Sequence, residues 1–181
     1  MLAAWAAAST SWGKCQELRL VDNFKIGEYT GLWYEQLRDK RFWPEKGDCQ
    51  ESRYALMGKS NSSMYVLHSQ FIDNRTGFNT MAGVAKCKGA HCKVKYHKLI
   101  PEGDYRILET DYKTFALVYA CESIFGVAKN EYIWLLSREK VVRDDVINKA
   151  KKFLADRLPW YNLNNLIRTR QGGSCVYLPV D

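Results

Sequence analysis

The side chains that could do chemistry fall into three groups. His91, Cys92 and His97 lie close together in the chain. Cysteine–histidine catalysis needs a free thiolate and an imidazole held as its base. Cys87 stands nearby and competes for the same sulfur as a disulfide partner. A zinc site would need a second paired knuckle beside Cys87-x4-Cys92, and the chain offers none. The carboxylate pairs point no more clearly to acid–base work. Asp144-Asp145 opens an exposed helical pattern, and Glu109 and Asp111 alternate along a strand toward a turn. What remains is the chemistry of holding. The chain has six Trp, eleven Tyr and seven Phe in 181 residues, side chains that pack well in strands and also line pockets for flat or conjugated molecules. The expectation is a binding protein with no catalytic residue and no metal.

The elements that must position such side chains alternate strand and turn. Strands are expected at 33–37, 50–57, 64–71, 79–86, 93–97, 105–110, 114–119 and 132–138, punctuated by Gly58, Asn61, Asn74, Gly77, Gly89, Pro101 and Gly103. Eight short antiparallel strands form a sandwich or close into a barrel, and closure both removes exposed edges and encloses a small ligand. After Lys140 the period changes. Val142, Val146, Ile147, Ala150, Phe153, Leu154 and Leu158 share one helical stripe, with Asp144 and Asp145 early, Lys151 and Lys152 late, and Pro159 as the stop. That apolar stripe needs a partner, and the outer barrel wall supplies it. Residues 172–178 read as a loop and a short strand.

The cysteines at 15, 49, 87, 92, 121 and 175 are even in number and spread along the chain. They fit three disulfides in an oxidising compartment, with every pairing open. Asn61-Ser62-Ser63 and Asn74-Arg75-Thr76 meet the glycosylation rule. The Ala-rich start resembles a shortened secretory signal. Residues 1–12 are therefore set aside as a tail and 13–181 taken as one domain of a secreted protein. The net charge of +7 is scattered in short clusters. With no zinc-finger spacing, recognition-helix pair or arginine-rich arm, a nucleic-acid partner is not expected. With no long apolar run beyond the first residues, neither is a membrane span.

Three segments carry a family likeness. Gly31-Leu32-Trp33-Tyr34 resembles the Gly-x-Trp motif of lipocalins. The run 107–112, containing Thr110-Asp111-Tyr112, resembles their second motif when followed by Phe115 to Tyr119, and Arg138 matches their third. Gly13-Lys14-Cys15, Asp22-Asn23-Phe24 and Gly47-Asp48-Cys49 resemble the apolipoprotein D branch, whose pattern bilin-binding proteins and crustacyanins share. The resemblance implies an all-β, eight-stranded up-and-down barrel with one C-terminal α-helix packed outside. It implies that Trp33 plugs the closed end under Arg138, and that Thr110, Asp111 and Tyr112 fix a turn there. It also implies disulfides Cys15–Cys121 and Cys49–Cys175, leaving Cys87–Cys92 as a local bridge across a hairpin.

Ligand contacts are then expected at the other end and along the lumen. Phe42, Trp43 and Pro44 are rim candidates, with loop packing and a partner surface as the alternatives. Tyr54, Tyr65, Leu67, Phe71, Tyr96, Tyr105, Ile107, Val118 and Trp134 are wall candidates, of which period 2 admits about half. Tyr54 and Tyr119 could donate phenolic hydrogen bonds or pack outside against the helix. His68 and His97 could meet a polar ligand tip or serve as satisfied wall residues. Arg53 and Arg106, if inward, could meet a carboxylate; if outward, they are solvated charges. The pigment-binding likeness favours biliverdin or another bilin. A carotenoid, completed by a second subunit of a homo-oligomer, and a colourless lipid, retinoid or sterol are the alternatives. An interaction protein with a barrel packed shut, and a lipocalin-type isomerase with a cavity cysteine, are the remaining readings.

Overall fold

The structure, a computed structural model, describes residues 10–42, 44–58, 62–72 and 77–179. Trp43 and both sequon asparagines, Asn61 and Asn74, lie outside the described residues. Ten strands form one antiparallel sheet: β1 (Thr10–Trp12), β2 (Gly31–Asp39), β3 (Asp48–Leu56), β4 (Ser63–Phe71), β5 (Phe78–Lys88), β6 (His91–Lys95), β7 (Gly103–Thr110), β8 (Phe115–Ile124), β9 (Ala128–Ser137) and β10 (Leu166–Arg168). Consecutive strands from β2 to β9 pair as neighbours, and β9 also pairs with β2, so eight strands close into an up-and-down barrel. The α-helices among the described residues are a single turn, α1 (Ile26–Tyr29), and α2 (Asp144–Arg157), which Pro159 follows; a 3-10 turn at Leu163–Asn165 leads into β10.

Three features depart from the sequence reading. Thr10–Trp12, counted there with the tail, pair with β9. The late strand is not in 172–178, which carries none; it is β10, which pairs with Leu37–Asp39 beyond the point where β2 and β3 part. Its Leu166 anchors in the cluster beneath α2. The strand expected through His97 stops at Lys95.

Alternation along the strands separates two apolar clusters. The inner one holds Trp33, Met64, Val66, Ile107, Val118 and Leu136. The outer one joins Leu37, Leu117, Tyr119 and Ile133 to Ile147, Ala150, Leu154 and Leu158 around α2. The helix is amphipathic because its apolar stripe must cover the outward side chains of β8 and β9, which would otherwise face water.

All six cysteines are paired: Cys15–Cys121, Cys49–Cys175 and Cys87–Cys92. The two long bridges staple the N-terminal arm and the C-terminal tail to the wall. Cys87 and Cys92 face each other across the β5–β6 hairpin.

On the outer face, buried Asp104 gathers charge. It accepts from His91 Nε2 at 2.7 Å, Lys93 Nζ at 2.8 Å and the Cys121 amide at 3.0 Å. Arg106 Nε lies 2.8 Å from it but out of hydrogen-bonding line. Burial alone would raise its pKa; the hydrogen bonds from Lys93, the Cys121 amide and His91, with the Arg106 charge, outweigh burial and hold it below the usual carboxylate range. A depressed folded pKa stabilises the protein above the unfolded carboxylate value, and the effect is lost as pH falls through the folded value. Asp104→Asn should therefore cost about 1–3 kcal/mol at neutral pH, moderated because Lys93 and His91 are half exposed. Denaturant unfolding across pH checks this: the difference from wild type should shrink toward zero in acid, and a gap constant with pH would exclude the electrostatic origin.

Candidate functional site

The two ends of the barrel differ. At one, the adjoining ends of β3 and β4 and the turns 89–90 and 111–114 lie beside the start of β2, and α1 sits among them. Trp33 is fully buried there. Its Nε1 donates to the Tyr29 carbonyl at 2.8 Å, and the Arg138 guanidinium lies 3.7 Å over its ring centroid. Arg138 also donates to the carbonyls of Leu32, Thr30, Tyr112, Glu28 and Tyr29. Gly31 has φ +97°, and a Cβ on it would stand 3.2 Å from Arg138 Nη1, so glycine admits both the backbone and the guanidinium. In the next turn, Asp111 Oδ1 accepts from the amides of Lys113, Thr114 and Phe115, while Thr110 Oγ1 donates to the Phe115 carbonyl. Tyr112 takes φ +65°, and its hydroxyl accepts from the Lys25 amide. These groups form a plug.

The opposite end carries residues 40–42 and 44–47 and the connections 96–102 and 125–127. Leu99, Ile100, Phe125 and Val127 stand exposed on it. Phe42 and Glu45 both reach Trp134 from this end. Phe42 packs edge-on against Tyr132 and Trp134, each with ring centroids 5.0 Å away. The Gln70 side chain pins residues 44–47, accepting from the Gly47 amide at 2.7 Å and donating to the Pro44 carbonyl at 2.9 Å.

Between plug and mouth, the inner wall brings together Tyr54, His68, Tyr96, Tyr105, Ile107, Val118 and Trp134. Each is buried in the inner cluster, packed against it or held in ring contact with it. Tyr54 and Tyr29 both hydrogen-bond the Tyr105 hydroxyl, at 3.0 and 2.6 Å. His68 Nδ1 bonds Ser52 Oγ at 2.6 Å, and burial pushes its pKa down to about 4, so it is neutral at physiological pH. Gly83 leaves room for Tyr96, whose Cδ1 would lie 2.8 Å from a Cβ there. His68, Tyr96, Tyr105 and Trp134 face inward and yet retain accessible surface.

Other predicted side chains lie elsewhere. Tyr65, Leu67 and Phe71 alternate onto the outer face of β4, opposite Met64, Val66 and His68; Tyr65 is half exposed and Phe71 packs on Phe78. Tyr119 faces the α2 side, where it donates to Glu131 at 2.6 Å. His97 lies in an exposed loop, its Nδ1 accepting from the Leu99 amide. Arg53 donates outward to the carbonyls of Leu178 and Pro179, and Arg106 pairs with Asp104.

The sequence reading passed over three polar side chains of the lumen. Glu35 and Arg38 form an ion pair at 3.0 Å. Glu45 accepts from Trp134 Nε1 at 2.7 Å. Glu35 shares the parity of Trp33, a usable signal; Glu45 sits in a loop whose path depends on distant Gln70. Among the described residues no cluster of His, Cys, Asp and Glu could hold a metal. With every sulfur in a disulfide, cysteine–histidine chemistry has no thiolate.

Comparison with known proteins gives the same architecture. The lipocalin / cytosolic fatty-acid binding protein family profile matches residues 45–172. Apolipoprotein D of Rattus norvegicus is 33% identical over 146 residues, covering 78% of this chain and 75% of that protein. The bilin-binding protein of Pieris brassicae is 29% identical over 162 residues, covering 85% and 84%. Among solved structures, lobster apocrustacyanin A1 superposes with TM-score 0.75 at 19% identity, covering 92% of this chain and 93% of that one. Insecticyanin of Manduca sexta gives TM-score 0.76 at 19% identity, covering 91% and 90%. The two structural likenesses speak to fold alone.

Proposed function

Since this chain belongs to the lipocalin / cytosolic fatty-acid binding protein family, we propose that it is an extracellular carrier holding one small hydrophobic molecule inside its barrel. The observation that carries this reading is the inner wall of partly accessible Tyr96, Tyr105, His68 and Trp134, closed below by Trp33. An apolar, aromatic enclosure with a few placed polar groups is the usual form of a small-molecule site. The three disulfides suit an oxidising compartment.

A colourless lipid-like molecule fits better than a bilin. A bilin brings two propionates, which need cations. Arg53 and Arg106, the arginines that could have met them, both point outward. Arg38 is already bound to Glu35 and Thr169. A carotenoid would be the coloured ligand requiring no such cations.

The absorption spectrum of the native protein, with mass spectrometry of its organic extract, tests the assignment. The expected result is no visible band and a bound lipid in the extract. Paired near-ultraviolet and red bands would restore the bilin, and one broad visible band would indicate a carotenoid. An empty extract, with no saturable uptake of added apolar probes, would overturn the carrier reading.

A further inference from the structure

Among the described residues, the barrel interior brings two carboxyl groups, Glu35 and Glu45, to one cation, Arg38. Glu35 and Arg38 pair on β2 with side chains only 4% and 7% exposed. Thr169 completes that pair, donating to Glu35 and accepting from Arg38. Glu45 descends from the mouth loop onto Trp134. Its carboxyl lies within hydrogen-bonding reach of Glu35, and its charge acts on the phenols of Tyr54 and Tyr96. Arg38 can neutralise one carboxylate. The other has an indole N–H and no cation of its own. Burial, with the neighbouring Glu35 charge adding to it, pushes Glu45 well above the usual carboxylate range.

A buried carboxylate without a counter-charge is costly, and the protein takes up a proton or a cationic partner to relieve it. Around Glu45 stand the aromatic rings of Phe42, Tyr132 and Trp134. Such faces also attract a desolvated cation. Resting on the carrier reading above, we propose that the lumen selects an apolar molecule ending in a protonated amine, which ion-pairs with Glu45, over an equally apolar carboxylic acid. The ammonium group lies beside Glu45 and Phe42, and the apolar tail runs down the wall past Tyr96 toward Ile107. A carboxylic acid would bring its own carboxylate to a site with no cation free to meet it. An alcohol would leave Glu45 protonated and gain a hydrogen bond but no ion pair.

The test compares dodecylamine, dodecanol and dodecanoic acid, three probes alike except at the head. Binding to the full-length disulfide-bonded protein is followed by tryptophan fluorescence and calorimetry at neutral pH. The amine should bind at least about tenfold more tightly than either of the others. Glu45→Gln preserves an acceptor for Trp134 and should bring the three affinities to within about threefold of one another. Glu45→Asp retains the charge and should retain the preference. Near-ultraviolet dichroism confirms that each variant is folded. An acid or alcohol that binds as tightly as the amine overturns the proposal, as does a preference that survives Glu45→Gln. Failure of all three to bind folded wild-type protein overturns the carrier reading itself.

Discussion

Replacing Arg138 by alanine is expected to lower the unfolding free energy by about 1.5–3 kcal/mol, the range for hydrogen bonds made by a charged group whose acceptors are left behind. The side chain reaches five carbonyls on two separate segments, at 2.7 Å for Leu32, 2.8 Å for Thr30, 3.1 Å for Tyr112, 3.2 Å for Glu28 and 3.3 Å for Tyr29. It also covers the face of the buried Trp33 indole. α1 is too short to persist alone, so the guanidinium is what ties its end to the 111–114 turn. Arg138→Lys should recover less than half of the loss, because an ammonium has no planar fork to span those carbonyls or stack on the indole. Denaturant unfolding with the disulfides intact measures both. A loss below about 1 kcal/mol, or full rescue by lysine, would show that the plug holds without this residue.

Much of this end was legible in the sequence. The roles of Trp33, Arg138 and Thr110-Asp111-Tyr112 came from the family resemblance, carried by short motifs: a turn carboxylate accepting backbone amides, an indole under a cation. The eight barrel strands were also readable, because turn residues bound them, and α2 followed from its 3.6-residue stripe. The lumen was less legible for a physical reason. β8 is buried on both faces, inward by the barrel and outward by α2, so 115–121 gives no polar contrast to tell Val118 from Tyr119. Irregularities between Glu35 and Leu37, Asp48 and Glu51, and Ile107 and Glu109 shift the alternation within single strands. In β4 the register is regular, but apolar residues occupy both parities, and Tyr65 and Leu67 were as eligible as Met64 and Val66. β10 has no strand signature of its own. It exists because β2 extends past β3 and offers a free edge.

The disulfides should divide into two energetic classes. Cys15–Cys121 and Cys49–Cys175 close separations of 106 and 126 residues, whereas Cys87–Cys92 closes 5. Loop-closure entropy assigns about 4–5 kcal/mol to each long bridge and about 2 kcal/mol to the short one, with the observed effect commonly smaller. The Cys87→Ala/Cys92→Ala variant keeps a hairpin already paired along its length and should lose about 1–2 kcal/mol. The Cys49→Ala/Cys175→Ala variant should lose about 3–5 kcal/mol, because native contacts follow the lost constraint. The tail it releases carries Gln171, whose amide donates to the carbonyls of Glu35 and Gln50, and Thr169, which completes the Glu35–Arg38 pair. It also carries the carbonyls of Leu178 and Pro179 that hold Arg53, and Tyr177, whose ring packs against Tyr34. Detaching it leaves buried Glu35 with fewer partners and takes two carbonyls from Arg53, the cation paired with buried Glu51. Hydrogen exchange separates entropy from detachment. In the Cys49/Cys175 variant, the amides of Thr169 and Cys49, bonded to Gln36 and Arg170 across the tail contact, should exchange faster while those of β8 and β9 change only with global stability. Equal losses for the short bridge and the long one would refute both the loop-length argument and the role given to the tail.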